Sequence, residues 1–288
     1  MAECAEIDAF LAAREALVPN LKPGCAKTVV WAGDAGVQTE LAVLFIHGFS
    51  ATGHELRSLP DLVVNGLNAN LHFTRLTGHG QDGAAMGQAT FEAWQDDVAE
   101  ALEVAHTIGK RVLVIGCSTG CTLAVDALAL GAEVAGIVGV SPNFGLTHKL
   151  AQLLLDLPLV KYWGLWIAGR TRSFDVLSDD HAAYWTTSYP TRAVFPMGDA
   201  IRVVRGADLS QVRTPAMFAF NTADQVVSPK ATQNVIDRWS GRILVHALMQ
   251  GPNDDPMGHL MAGDVFSKSQ TKPLAAAILR WFARLPPA

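Results

Sequence analysis

The chain predicts an α/β fold: a mostly parallel central sheet flanked by helices, with a largely helical segment inserted between two late strands. Three observations carry that expectation. Short apolar runs rich in Val, Ile and Leu alternate with helix-length amphipathic segments, the order that builds parallel strands through crossover helices. One of these runs passes through a glycine-bracketed turn straight into a helix. The alternation then stops between residues 143 and 206, where aromatic residues and prolines crowd in, and it resumes afterwards. The expected organisation is a core of residues 1–142 and 207–288 with 143–206 as an inserted cap.

Bulk properties narrow the class. Of 288 residues, 50% are hydrophobic and only 17% charged, so a sizeable core is available and disorder is not expected. A formal net charge of -5, with no Lys/Arg run, argues against non-specific nucleic-acid binding. Cys4, Cys25, Cys117 and Cys121 form no disulfide-scaffold pattern, and no H-E-x-x-H or paired C-x-x-C points to a metal. The N-terminal stretch is acidic and lacks a basic region followed by an apolar one, so a signal peptide is not expected. No apolar run approaches the roughly 18 residues that span a bilayer. The expectation is a soluble, cytoplasmic protein with reduced thiols and no stable membrane insertion.

In chain order, Ile7, Phe10, Leu11 and Leu17 recur at helical spacing, predicting a short helix over 6–17. Thr28–Trp31 is strand-like, and Gly33–Gly36 is a turn. Leu41–Ile46 is apolar throughout and reads as a buried strand, ending in His47-Gly48-Phe49-Ser50. Leu71–Arg75 is the next strand, leading into the mobile-looking turn Leu76-Thr77-Gly78-His79-Gly80. Thr90 is placed to cap a helix that carries Phe91, Trp94, Val98, Leu102 and Ala105 on one face. Val134–Val140 is another buried strand, closed by Ser141-Pro142. After the aromatic segment, Ala216–Phe220 is a strand, and Ser228 and Pro229 suit the N-cap and first turn of a helix reaching Trp239. Ile243–Leu248 is the last strand. A loop over 249–261 holds Asp254, Asp255 and His259, and a helix from about Pro273 to Leu285 ends the chain.

The chemistry centres on residues 111–130. Val112-Leu113-Val114-Ile115 lacks polar side chains on either face, as a fully buried strand does. Gly116-Cys117-Ser118-Thr119-Gly120 follows, then a helix-length segment that stops at Gly131, a suitable C′ residue. Strand, G-x-S-x-G and helix together are the context of a nucleophile elbow. So tight a turn strains the serine backbone and presses neighbouring main chains together, which requires glycines two residues to either side. Ser118 then stands at a helix N-terminus, where free N–H groups favour negative charge. The Phe49 N–H, after the glycine that ends the earlier strand, and the Thr119 N–H, directly after the serine, are the candidate oxyanion-hole donors.

A serine hydroxyl needs a base within hydrogen-bond reach, and His is the side chain with a suitable unperturbed pKa. His47, His148 and His259 lie beyond expected strand ends. His47 belongs to the oxyanion strand, where its ring suits holding loop backbone, and His148 starts the cap. His259, after the last strand, is the preferred base. Asp224, ending the strand before, is the preferred acid, with Asp254 and Asp255 as competitors. Ser118, Asp224 and His259 follow one another in a Ser…Asp…His order distinct from the chymotrypsin and subtilisin protease orders. Candidate substrate-lining residues are His47, Phe144, Trp163, Trp166, Trp185 and Val226, most of the other aromatics between 143 and 206 being needed to pack the cap.

Taken together, His47-Gly48-Phe49, Gly78-His79-Gly80, Gly116-Cys117-Ser118-Thr119-Gly120, Asp224-Gln225-Val226-Val227-Ser228-Pro229 and Gly258-His259 resemble the α/β-hydrolase-fold carboxylesterases of the monoacylglycerol lipase-like group. The resemblance runs over nearly the whole chain and is weakest in the cap and the first forty residues. It implies a serine nucleophile, an acyl-enzyme, a small-molecule ester as substrate, and no metal or organic cofactor. The aromatic cap adds the expectation of short to medium acyl chains or small aromatic esters. Thr119 and Cys121 depart from the group, which has Met, Leu or Gln and a glycine there; Thr119 is expected to narrow the acyl site. Thr77 stands where the group often has Pro, which predicts a less rigid loop. Thioesterases, amidases and carbon–carbon bond hydrolases share this machinery, and the fold also serves as a small-molecule receptor.

Overall fold

The computed structural model describes residues 2–157 and 169–286. Its centre is a seven-stranded sheet in the order β1-β3-β2-β4-β5-β8-β9. These strands are β1 (Thr28–Val30), β2 (Thr39–Ile46), β3 (Asn70–Phe73), β4 (Gly109–Cys117), β5 (Gly136–Val140), β8 (Ala216–Phe220) and β9 (Ile243–Ala247). Only β1 runs antiparallel to its neighbour; every other pairing is parallel.

Period-two alternation assigns each strand side chain to one of two cores. Leu44, Ile46, Val112 and Val114 face a core closed by helices Phe91–Ile108, Thr119–Ala129 and Val194–Gly206. Val43, Phe45, Leu113 and Ile115 face the other, closed by Leu59–Leu67 and Lys268–Phe282. Because both faces are covered, β2 and β4 read in the sequence as unbroken apolar runs. Thr90 caps its helix as expected, its side chain accepting from the Ala93 N–H at 3.1 Å. Ser228 does the same for Ala231 at 3.3 Å, with Pro229 opening the helix.

Several expectations change. The last helix begins at Lys268 rather than Pro273, since polar residues before the proline supply the first turn; Thr271 Oγ1 donates to the Ser267 carbonyl at 3.3 Å. The turn at 76–80 is packed rather than loose. His79 is fully buried, Trp94 Nε1 donates to the Thr77 carbonyl at 3.0 Å, and Gly78 and Gly80 supply the positive φ the path needs. Thr77 itself donates its N–H to Asp97 at 2.5 Å.

Between β5 and β8 lie helix Lys149–Asp156, an antiparallel ribbon of β6 (Thr171–Ser173) and β7 (Ser188–Pro190), helix Asp179–Tyr184 and helix Val194–Gly206. The segment is therefore not wholly helical. Its last helix packs Ala200, Ile201 and Val204 into the main core against the helix that follows Ser118, so 206 is not where the core resumes. Phe144, expected among the substrate-lining residues, is also core: it is fully buried with its ring edge-on to Phe218. Trp163 and Trp166 lie outside the described residues. Among the described residues no helix is long and apolar enough to cross a membrane.

Candidate active site

Ser118 sits between β4 and its helix with φ 49° and ψ −117°, a strained left-handed conformation that a serine holds only when its surroundings impose it. Two glycines impose it. A Cβ on Gly120 would lie 2.1 Å from the Ile46 carbonyl oxygen, and one on Gly116 would lie 2.7 Å from Cys121 Cα. Asn143 locks the turn from the end of β5, donating its N–H to the Ser118 carbonyl at 3.2 Å. Cys121, standing in place of a glycine, fits because Gly139 on β5 yields the space: a Cβ there would lie 2.6 Å from its sulfur. Since the obstacles at Gly120 are backbone atoms, Gly120→Ala is expected to cost at least about 1–3 kcal/mol as overpacking. A fall in Tm should report it. Gly206→Ala, which meets nothing within 4 Å, should leave Tm nearly unchanged.

The three expected side chains meet. His259 Nε2 lies 3.2 Å from Ser118 Oγ, and His259 Nδ1 lies 2.8 Å from Asp224 Oδ2. All three residues are buried, with only a few per cent of each reached by solvent. Asp224 is held by the turn it opens: its Oδ1 accepts the Val226 and Val227 N–H groups at 2.7 and 2.9 Å. Burial alone would push the His259 imidazole down, but the hydrogen bond and charge of Asp224, with Glu55 and Asp255, outweigh it and hold the ring above its ordinary value.

The competing acids do other things. Asp255 accepts the main-chain N–H groups of Met257, His259 and Leu260 and so shapes the histidine's turn. Asp254 ties the loop to the start of the last helix through Ser269 and Gln270. His148 caps helix Lys149–Asp156, its ring accepting the Ala151 N–H.

His47 does not line the cavity beside Ser118. Its Nε2 accepts the Leu76 N–H at 3.1 Å, which leaves the proton on Nδ1 to donate to the Gly48 carbonyl at 2.8 Å. Burial, with the His79 ring tilted against it, keeps this ring neutral by lowering its pKa far below the ordinary value. Among the described residues, neither the Phe49 nor the Thr119 N–H meets a protein acceptor. The Thr119 side chain does not narrow the cavity: it is buried, with Oγ1 accepting from Asn143 Nδ2 at 3.4 Å.

The cavity has a volume of about 640 Å³ and is mainly apolar, within the span of small-molecule clefts. Phe49, Ser118 and His259 form one part of its wall, with Val226 and Met257 beside them. Leu155, Phe174, Leu177, Trp185 and Tyr189 come from the segment between β5 and β8. Trp185 and Val226, of the candidate lining residues, are in the cavity wall. Missed in the sequence was Glu55, which also lines it and is 2% exposed; nothing in Thr52-Gly53-His54-Glu55 distinguishes it from a solvated turn.

A match to the alpha/beta hydrolase family spans residues 43–269, and the chain belongs to that family. It is 25% identical over 189 residues to the thermostable monoacylglycerol lipase of Bacillus sp. (strain H-257), covering 66% of this chain and 72% of that one. The fold is similar to a structure from the metagenome-derived lipolytic enzymes LipS and LipT, with a TM-score of 0.71, 18% identity, and 92% and 99% of the two chains covered. A soluble variant of monoglyceride lipase from Saccharomyces cerevisiae is likewise similar, at TM-score 0.65, 13% identity, and 91% and 92% coverage.

Proposed function

We propose that the protein is a serine carboxylesterase acting on short to medium acyl esters through an acyl-enzyme. The reading rests on one observation above all: an unbroken hydrogen-bonded chain from Ser118 through His259 to Asp224, opening onto an apolar cavity. In this reaction Ser118 Oγ attacks the ester carbonyl while His259 Nε2 takes its proton. Asp224 keeps the other ring nitrogen protonated and stabilises the imidazolium that forms. The Phe49 and Thr119 N–H groups receive the oxyanion, and the helix that begins at Thr119 adds its positive end. His259 returns the proton to the leaving alcohol and then draws one from the water that releases the acid.

The described residues between β5 and helix Val194–Gly206 act as the cap over this site, and the ribbon β6–β7 with its flanking residues supplies much of the acyl wall. The likeness to a monoacylglycerol lipase makes monoacylglycerols the natural esters to try beside p-nitrophenyl esters. A fluorophosphonate probe should label Ser118 stoichiometrically and rapidly, and hydrolysis of p-nitrophenyl esters from C2 to C12 should peak between short and medium chains. Stoichiometric labelling without turnover of any ester would favour a receptor of the same fold. Preference for a thioester or amide of equal length would move the assignment to those bonds.

A further inference from the structure

A second buried carboxylate stands beside Ser118. Glu55 takes the Gly48 N–H at 2.6 Å. A Cβ on Gly48 would lie 2.7 Å from Glu55 Oε1 and 3.1 Å from Ser118 Cβ, so the carboxylate and the nucleophile crowd the same glycine. The other half of that glycine is held as well. Its carbonyl, part of the same peptide plane as the Phe49 N–H, takes the hydrogen bond from His47. Glu55 on one peptide and His47 on the next leave the Phe49 N–H little freedom to turn.

Burying a carboxyl group is costly unless something compensates, and compensation here is thin. On its own turn, Arg57 is directed to Asp61 and the Phe73 ring, and His54 stacks on Tyr184. The titratable groups that face Glu55 from other elements are the Cys117 thiol at the end of β4 and His259 in the loop after β9. Burial raises the Glu55 carboxyl to about 7, against the opposing pull of the Gly48 N–H, Cys117 and His259. If accepting one N–H were the whole task, a neutral glutamine would serve. A carboxyl group this close to the reacting pair has a second effect, on the charge of His259.

We propose that Glu55 is a positioning residue for the reaction: its carboxyl group clamps Gly48 so that the Phe49 N–H is presented to the oxyanion, and its negative charge joins that of Asp224 in favouring the His259 imidazolium. The proposal rests on the reading of Ser118 as nucleophile and Phe49 as donor.

The test compares wild type, Glu55→Gln and Glu55→Ala for kcat and KM with p-nitrophenyl butyrate from pH 5 to 9, with Tm and fluorophosphonate labelling as controls. Glu55→Gln keeps an acceptor for Gly48 but loses the charge, so its plateau kcat should fall by less than that of Glu55→Ala. Its acid limb in kcat/KM should move to lower pH and lose the breadth that comes from Glu55 titrating over the same range, because a neighbour that favours protonated His259 when ionised is gone. Glu55→Ala frees the Gly48 N–H and should lower kcat by at least about tenfold, approaching the 10²–10³ of a lost oxyanion donor, with little change in KM. A Glu55→Gln enzyme with an unmoved acid limb, or one as slow as a folded Glu55→Ala, overturns the proposal; should Glu55→Ala fail to fold, the limb of Glu55→Gln decides alone. A wild type that neither turns over ester nor labels at Ser118 defeats the esterase reading instead.

Discussion

Ser118→Ala is expected to lower kcat for p-nitrophenyl butyrate by a factor on the order of 10⁶ while leaving the fold intact. In the proposed reaction the hydroxyl oxygen is the atom that must bond to carbon, and among the described residues no other nucleophilic side chain can take its place. Cys117 is not among the residues that line the cavity and is fully buried, and its thiol is raised well above the ordinary range by burial and by Glu55. The fold should survive because the strained turn is imposed by Gly116, Gly120 and the Asn143 N–H, all untouched by the exchange. Activity within tenfold of wild type, in a variant with unchanged Tm, would remove Ser118 from the mechanism.

Asp224→Asn should cost about 10⁴ in kcat, the loss seen when the acid of such a triad becomes an amide. The direction of the amide is set by the structure. Two main-chain N–H groups, of Val226 and Val227, already require an oxygen at Oδ1, so the new NH₂ falls on the side of His259. That NH₂ donates to Nδ1 and drives the ring proton to Nε2, where it faces Ser118 instead of accepting from it. The pH profile carries a second expectation. In wild type the His259 pKa lies above its ordinary value of about 6.5, so kcat/KM should fall as pH drops through a midpoint above that value. In the variant, burial is less opposed, and the remaining acid limb should move to lower pH. An unmoved limb would mean that another group sets it.

The three side chains of the proposed triad were legible because each follows a strand whose apolar run is unmistakable, and each is flanked by glycine or capping residues that fix a turn. Parallel strands then deliver the three turns to one edge of the sheet. The same logic correctly tied His47 to loop backbone. It failed for Phe144 and Thr119, whose roles depend on side-chain direction: one ring enters the core against Phe218, and one hydroxyl turns to Asn143. Glu55 was invisible for a related reason. Acidic residues in polar turns are ordinarily solvated, and only the fold shows that this turn doubles back over Gly48. Helix Val194–Gly206 was assigned to the cap because it follows an aromatic, proline-punctuated stretch; its apolar face joins the main core against the helix that follows Ser118 all the same.

The Thr186 N–H donates to the Ser50 carbonyl at 2.8 Å, and Thr186 Oγ1 donates to the Gln81 carbonyl at 3.2 Å. Trp185, one residue earlier, is part of the cavity wall, and Ser50 directly follows Phe49. Wall and donor loop are thus fastened together rather than merely adjacent. On the proposed mechanism, an ester bulky enough to push Trp185 outward must either break that link or drag the residue next to Phe49 with it, so a poorly fitting acyl group would be penalised at the reacting carbonyl as well as along its tail.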